Sequence, residues 1–341
     1  MRSLFEPRLV NTAFGDPGLY VDFRDERRAL LFDLGDITAL PPRKLMRLSH
    51  VFVTHAHMDH FAGFDQLLRV ILGRKPAIAL YGGPDFIAQV EHKLRAYSWN
   101  VVQRYEIELL IDVHEIGTDG CGRRARFSSR TGFTRSAMEP FERSGDVLHD
   151  ETIFRVRGRF VDHGIPCLAY LLEEKARVRV NKERLVALGI CTGAWLRDLK
   201  EAIIMSAPGQ TPIWVRWRDR QGEHAMTRSV DELRDLVLDV VPGQRIGYVT
   251  DLRYTESNVQ TLTQLLQDAD LLFIESVFLQ EDAEHAAKKN HLTAQQAGQI
   301  AHWARAKTLV PFHFSPRYEG RETELVAQAF AAWSGAAASS G

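Results

Sequence analysis

The stretch Val51-Phe52-Val53-Thr54-His55-Ala56-His57-Met58-Asp59-His60 decides the fold of this chain. Its first three residues are apolar and indicate a buried strand, and the positions that follow bring three imidazoles and one carboxylate. A loop that leaves a strand can direct alternate side chains, here His55 and His57, toward one point. Asp59 and His60 come one turn later and can face a second point. Because zinc and related metals bind imidazole nitrogen and carboxylate oxygen, the stretch predicts the start of two adjacent metal sites.

Composition limits the class of protein. The chain has 341 residues, enough for two average domains or for one large α/β domain with an insertion. The apolar share of 45% indicates a normal packed core, and the net charge of −1 gives no overall basic field. Three widely spaced cysteines, Cys121, Cys167 and Cys191, favour a reducing compartment over a disulfide framework. We find no signal peptide and no apolar run long enough to cross a membrane, so the expected location is the cytoplasm.

Apolar patterning predicts a layered α/β architecture, because strands and helices alternate along the chain. The predicted strands cover residues 19–23, 29–34, 77–81, 104–116, 152–161, 168–173, 245–251, 271–276 and 308–313, and the predicted helices cover 61–73, 85–97, 254–267, 293–306 and 323–333. Thr293 is the expected N-cap of its helix, with Gln296 three residues later.

Further polar residues follow the later strands. His163 stands beside Gly164 and Pro166, which fix a turn, whereas no strand leads to the competing His149. Asp251 follows another buried strand. Its carboxylate could bridge two metals or, alternatively, cap the next helix.

The His-x-His-x-Asp-His run resembles the signature of the metallo-β-lactamase superfamily. The resemblance implies an αββα sandwich and more ligands downstream: a lone His, an Asp after a strand and a late His. One metal would then take His55, His57 and His163, and the other would take Asp59, His60 and His313, with Asp251 between them. The expected cofactors are two Zn²⁺ ions, with Mn²⁺ or Fe²⁺ as alternatives.

Two carboxylates at strand ends are candidates for a supporting role behind these ligands. By the resemblance, Asp33 would support the metal-binding loop, although a strand-end residue of this kind can equally cap or turn. Glu275 ends the strand 271–276 and either orients a neighbour of the metals or begins a helix.

The order of the motifs resembles one family more specifically, the ribonucleases Z, which trim the 3′ ends of tRNA precursors. The matching segments are the first motif, His163-Gly164-Ile165-Pro166-Cys167, Asp251-Leu252-Arg253-Tyr254, Glu275-Ser276, His291-Leu292-Thr293-Ala294 and His313-Phe314-Ser315 with Arg317-Tyr318. The resemblance covers nearly the whole chain. It implies that Asp59 is both ligand and proton acceptor, that His291 protonates the leaving 3′ oxygen or steadies the phosphate, and that the protein is a homodimer.

Two segments are expected to contact the substrate. Residues 175–245 depart from the α/β rhythm and are predicted to form an inserted, arm-like segment. By the resemblance, the part from residue 175 to about residue 220 corresponds to the family's tRNA-binding arm, where Lys200 is a candidate contact. Residues 117–145 are rich in arginine, and we interpret them either as a mobile basic loop that meets phosphates or as a solvated surface insertion. The substrate-binding candidates are Arg123, Arg124, Arg126, Lys200 and Arg317.

The chain also departs from the family pattern. The family's Pro-Gly-Pro-Leu is replaced by Thr192-Gly193-Ala194-Trp195 ahead of Leu199-Lys200.

From the matching motifs we predict residues 1–341 as a single metallo-β-lactamase domain with an inserted arm, acting as a dinuclear zinc phosphodiesterase on tRNA precursors. One alternative is a hydrolase of the same fold for a small substrate, such as a cyclic nucleotide or an aryl ester or sulfate. Another is a non-catalytic RNA-binding relative.

Overall fold

The computed structural model describes residues 3–335 except 176, 206, 220 and 221. Its internal contacts divide the chain into two compact units. The first comprises Met1–Leu148, Val156–Leu172 and Arg245–Gly341, and the second comprises His149–Arg155 and Glu173–Gln244. No described helix is long and apolar enough to cross a membrane.

Eight strands form the first sheet, and their order in the sheet is their order in the chain. They are β1 (Phe5–Leu9), β2 (Leu19–Phe23), β3 (Ala29–Phe32), β4 (Leu48–Phe52), β5 (Ala77–Gly82), β6 (Leu110–Ile116), β7 (Gly122–Ser128) and β8 (Glu139–Pro140). The strands from β3 to β6 run parallel, and antiparallel strands flank them on both sides.

The later strands are β9 (Val147–Asp150), β10 (Phe154–Asp162), β11 (Pro166–Glu174), β12 (Arg177–Val180), β13 (Pro212–Asp219), β14 (Gly222–Ser229), β15 (Leu238–Val241), β16 (Arg245–Val249), β17 (Leu271–Glu275) and β18 (Leu309–Phe312). Six of them form a second sheet in the order β18-β17-β16-β11-β10-β9. The strands β16, β17 and β18 are parallel, so their carboxyl ends meet at one edge.

The helices are α1 (Pro42–Leu45), α2 (Met58–Phe61), α3 (Phe64–Ile71), α4 (Phe86–Arg95), α5 (Lys182–Ala187), α6 (Trp195–Ile204), α7 (Val230–Val237), α8 (Glu256–Leu265), α9 (Ala283–Lys289), α10 (Ala294–Trp303) and α11 (Glu322–Trp333). Short 3-10 turns lie at Val102–Arg104, Ser129–Thr131, Gln280–Asp282 and Pro316–Tyr318.

The first unit has four layers, as the αββα prediction requires. Apolar residues of α3 recur at positions 64, 67, 68 and 71, the spacing of one helix face, and pack with the first sheet. Helices α8, α10 and α11 pack in the same way against the second sheet. Between the sheets the Phe32 ring lies 5.6 Å from Tyr170 and 5.9 Å from Tyr248. The alternation of strand side chains explains why Val51 joins the helix layer while Phe52 faces the other sheet.

The second unit has its own small core. Strands β12 and β15 pair antiparallel, β13 and β14 form a hairpin, and α5, α6 and α7 pack with them. Trp195, Leu199, Val215 and Leu233 are buried at the centre of this core. The segment 175–245, predicted as an inserted arm, coincides with most of this unit.

Two predictions of local structure were wrong. Residues 122–128 are not loop but strand β7, because Ala125 and Phe127 alternate with polar residues and are buried against the first helix layer. The strand predicted over 104–116 begins only at Leu110, since Val102–Arg104 form a 3-10 turn. Strands β1, β8, β9 and β14 and helices α1, α2 and α9 were not predicted.

Candidate metal centre

The loop between β4 and α2 carries the first cluster of imidazoles. It leaves the first sheet at the carboxyl end of β4, and His57 is the N-cap residue of α2. His55 and His60 are buried, and their ring centroids lie 4.2 Å apart. The ring of His57 lies 4.3 Å from that of His55. This one short segment therefore contributes several nitrogen atoms to a single cluster.

The structure brings His163 and Asp251 to two of these histidines. One potential ligand atom from each of His55, His57, His163 and Asp251 lies within 4.8 Å of all the others. Oδ2 of Asp251 is 3.7 Å from Nε2 of His55 and 3.4 Å from Nε2 of His163.

A second group forms beside the first. Ligand atoms of Asp59, His60 and His313 also lie within 4.8 Å of one another. Asp251 is shared between the groups, because its Oδ2 is 3.5 Å from Nε2 of His60 and its Oδ1 is 3.2 Å from Nε2 of His313. All seven residues proposed as ligands from the sequence therefore lie around one carboxylate.

The spacing and chemistry of these atoms fit divalent cations. Nitrogen and oxygen ligands about 2.0–2.2 Å from one tetrahedral ion are separated by about 3.3–3.6 Å, which resembles the spacing between Asp251 and its histidines. Within the described residues, Nε2 of His55 and Nε2 of His60 are buried without a hydrogen-bond partner. A buried polar atom in this state is costly unless something else satisfies it. A bound cation would do so.

Three site residues adopt left-handed backbone conformations where strands end. Asp33 follows β3 with a φ of 55°, Asp251 follows β16 with a φ of 54°, and His313 follows β18 with a φ of 59°. Such a conformation costs a non-glycine residue about 1–3 kcal/mol, so the surrounding structure must hold it in place. Each of these three residues follows the end of its strand, and its side chain points toward the metal centre.

A layer of hydrogen bonds orients the histidines. The fully buried carboxylate of Asp33 accepts hydrogen bonds from the amide of Thr54 at 2.7 Å, the Thr54 hydroxyl at 2.9 Å and the Tyr248 hydroxyl at 3.1 Å. The same carboxylate lies 2.9 Å from Nδ1 of His60. Nδ1 of His163 donates to the carbonyl oxygen of Asn290 at 2.9 Å. Both contacts leave Nε2 as the nitrogen that faces Asp251.

His291 stands next to both groups. Its Nδ1 is 2.9 Å from the buried carboxylate of Glu275, which also accepts the amide of Leu252 at 2.8 Å. Its ring centroid is 5.0 Å from that of His163 and 5.9 Å from that of His313. Burial lowers the pKa of His291, but the Glu275 carboxylate outweighs it and raises the pKa to about 9.

Burial and charge separate the protonation states within the cluster. Burial, reinforced by the neighbouring imidazoles, lowers the pKa of His55 to about 2, so that its ring is neutral and able to coordinate a cation. Burial raises the pKa of Asp59, but the imidazole of His60, 3.4 Å away, outweighs burial and lowers this pKa to about 2. Asp59 is therefore ionised near neutral pH.

Two curated proteins are similar in sequence to most of this chain. The chain is 30% identical over 306 residues to a ribonuclease Z of Deinococcus radiodurans, covering 88% of this chain and 87% of that one. It is 31% identical over 320 residues to a ribonuclease Z of Thermobifida fusca, covering 92% and 83%. The chain belongs to the ribonuclease Z family. It is therefore a metal-dependent hydrolase, and the resemblance inferred from its motifs is confirmed.

Family-model and structural matches agree with this ribonuclease Z fold. The Beta-lactamase superfamily domain matches residues 222–314. The metallo-β-lactamase fold protein YhfI of Bacillus subtilis superposes with a TM-score of 0.53 at 16% identity, covering 96% of this chain and 94% of that one. The short form of human tRNase Z superposes with a TM-score of 0.51 at 18% identity, covering 92% and 93%. These two structures show the fold alone.

The proposed substrate-binding arginines of this ribonuclease Z family member have protein partners. Arg123 pairs with Glu115 at 2.6 Å, Arg124 with Glu139 at 2.8 Å and Arg126 with Asp112 at 2.6 Å. These carboxylates lie on the strands next to β7, so the arginines join the strands of the sheet and do not form a separate basic loop.

The other two candidates lie on different elements. Arg317 pairs with Asp282 at 3.4 Å, and its guanidinium carbon lies 5.6 Å from the Phe278 ring centroid. Lys200 is half-buried on α6 in the second unit. Neither belongs to the two ligand groups, and their contacts with substrate stay predictions.

Sequence reasoning missed several residues that support the site. Tyr248 and Thr54 bind Asp33, and Asn290 contacts His163 through its backbone carbonyl. The Sγ of Cys167 lies 3.6 Å from Nδ1 of His55 and donates to the carbonyl of Thr250. Only Asn290 carried a local signal, since asparagine favours the left-handed position that ends a helix, and it ends α9 with a φ of 62°.

Proposed function

We propose that this chain is a two-metal phosphodiesterase that cuts tRNA precursors at their 3′ side. One observation carries the proposal: two His/Asp groups share Asp251 in a chain that is 30–31% identical to ribonucleases Z over most of its length. The alternative of a small-substrate hydrolase has no comparable support.

The candidate ligands form two groups that share Asp251. His55, His57 and His163 would hold the first cation, Asp59, His60 and His313 would hold the second, and Asp251 lies between the two groups. Zinc suits the many imidazole ligands, and Mn²⁺ or Fe²⁺ can occupy the same donors. When bound, such a pair of cations lowers the pKa of a water molecule and stabilises negative charge on the phosphate.

Two residues would move protons. Asp59 keeps 42% of its side chain exposed, so its carboxylate can accept the proton of the attacking water as well as hold a cation. His291 is oriented by Glu275 and lies beside both ligand groups, where its Nε2 can donate a proton to the leaving 3′ oxygen. Asp33 fixes the orientation of the His60 ring through Nδ1 and takes no part in the proton transfer.

RNA recognition is assigned to the second unit. The resemblance to the family supports a tRNA-binding arm from residue 175 to about residue 220, where Lys200 is the proposed contact. The replacement of the family's Pro-Gly-Pro-Leu by Thr192-Gly193-Ala194-Trp195 means that other residues of this unit must contribute to binding. The homodimer stays a prediction, to be checked by sedimentation.

The proposal is tested by metal analysis and product mapping. Protein purified without chelator should contain about two equivalents of metal per chain. It should release the 3′ trailer of a tRNA precursor while leaving a cyclic nucleotide intact. His163→Ala should lose metal and cleavage together, with His302→Ala as the control because His302 is exposed on α10. Less than one equivalent in folded protein, or turnover of the cyclic nucleotide alone, would contradict the proposal.

A further inference from the structure

The β13–β14 hairpin of the second unit has two unlike faces. Ile213 and Val215 point into the core of this unit and are buried. The antiparallel register opposes Trp214 to Thr227, Arg216 to Ala225 and Arg218 to Glu223, and opposed residues project from the same side. We call this outer side the tryptophan face, which consists of Trp214, Arg216, Arg218, Glu223, Ala225 and Thr227.

An indole on this face is presented to solvent. Trp214 is 62% exposed, although its neighbours in sequence, Ile213 and Val215, are buried. The guanidinium of Arg216 lies 5.1 Å from the centroid of the indole ring, within the range of a cation–π contact. The residues opposite, Thr227 and Ala225, are small and exposed, so the face stays flat on the β14 side.

The charge of the tryptophan face is mainly positive. Within the described part of the chain, Arg216 and Arg218 form no ion pair, and Glu223 is the one carboxylate on this face. Unpaired arginines next to an aromatic ring attract a polyanion that also offers planar groups. Nucleobases stack on indole rings and guanidinium planes, and their phosphates bind cations, which makes single-stranded RNA the complementary ligand.

We propose that the tryptophan face binds unpaired nucleotides of the RNA substrate. A base would stack on Trp214 and Arg216, and Arg218 would attract the adjacent phosphate. This inference rests on the proposed function, since it assumes an RNA substrate. It also assigns part of RNA binding to residues outside Thr192-Gly193-Ala194-Trp195, the segment that replaces the family's Pro-Gly-Pro-Leu.

The test compares RNA binding with catalysis in the full-length, metal-loaded protein. Trp214→Ala and Arg216→Ala should each weaken binding of a single-stranded oligoadenylate by about tenfold, the loss expected for one stacked base, and should raise KM for a tRNA precursor. Turnover of a nitrophenyl phosphodiester should not change, because this small substrate offers no base to stack. Trp214→Phe should retain most of the affinity for the oligoadenylate. Arg216→Lys should bind it more weakly than the native protein, because lysine lacks the planar guanidinium group.

Matched control variants show whether losing any exposed tryptophan or any arginine weakens RNA binding. Trp303→Ala removes a tryptophan that is 47% exposed on α10, and Arg234→Ala removes an arginine that pairs with Asp231 at 2.8 Å. Both variants should bind the oligonucleotide like the native protein. Circular dichroism and thermal unfolding verify that each variant folds.

The outcomes distinguish RNA binding by the tryptophan face from the proposed cleavage of tRNA precursors. If Trp214→Ala binds oligoadenylate as tightly as the native protein, the inference is overturned while precursor cleavage by the native protein still supports the proposed function. If Trp214→Ala changes the sedimenting mass instead of RNA affinity, the face is a protein contact and the inference also fails. If the native protein cuts no tRNA precursor yet binds the oligonucleotide through Trp214, the proposed function fails and the RNA surface stands.

Discussion

Single residues of the metal centre combine backbone strain with dense hydrogen bonding. Asp33, Asp251 and His313 all have positive φ angles, and the carboxylate of Asp33 is fully buried. A strained residue persists only where its side chain is firmly bound. Asp33 meets this condition through Thr54, Tyr248 and His60, which is the physical reason that this strand end keeps its shape.

Removal of the Asp33 carboxylate should therefore destabilise the fold. Asp33→Ala leaves buried donors of Thr54, Tyr248 and His60 without an acceptor, and we expect a loss of about 3 kcal/mol in the free energy of unfolding. Chemical denaturation of the metal-free protein measures it. Asp25→Ala, at an exposed position, should stay within about 0.5 kcal/mol of the native protein. Equal stability of the two variants would contradict this account of Asp33.

The role of His291 can be separated from metal binding. His291→Ala should keep the metal content and the fold, since the seven ligand residues remain, but should lower the turnover of a tRNA precursor by about 10²–10⁴-fold. Rapid-quench kinetics and elemental analysis measure the two effects. His302→Ala serves as the control on α10. An unchanged rate would remove His291 from the proton transfer.

At the scale of elements, the pattern of apolar residues in the sequence predicted the strands that are mostly apolar and missed strands that are mostly polar. The strands β5, β16, β17 and β18 are buried runs and were predicted within a few residues. The strand β7 was missed because its sequence Gly-Arg-Arg-Ala-Arg-Phe-Ser is mostly charged, and only pairing with β6 shows that Ala125 and Phe127 face the core. Nothing in the local sequence reveals the carboxylates that neutralise its arginines.

The ion pairs on β7 change what we expect of its arginines. Arg126 and Asp112 oppose each other on β7 and β6, so a double-mutant cycle of Arg126→Ala and Asp112→Asn should give a coupling of up to about 1 kcal/mol in unfolding experiments. RNA affinity and its salt dependence should not change, because the charge is already paired. A salt slope lowered by about 0.9 in Arg126→Ala would instead assign a phosphate contact to this residue.

At the scale of the whole molecule, the chain separates into a unit that holds the metal centre and a unit with an independent core. The motifs predicted the first unit well, because its ligands follow strand ends and each leaves a local signal in the sequence. The second unit was predicted only as an insertion. The pairing of β12 with β15 depends on contacts between Arg177–Val180 and Leu238–Val241, about 60 residues apart, which local patterning cannot reveal.

Excision of residues 176–242, which make up most of the second unit, should separate RNA recognition from catalysis. Its two connections lie side by side, because the amide of Glu174 donates to the carbonyl of Gln244 at 2.8 Å, so a short glycine linker can replace residues 176–242. We expect the shortened protein to bind metal and hydrolyse a nitrophenyl phosphodiester at close to the native rate. Cleavage of a tRNA precursor should fall by at least about 100-fold, since at least two phosphate or base contacts are lost. Loss of both activities, with metal content also reduced, would show instead that the unit is needed to form the metal centre.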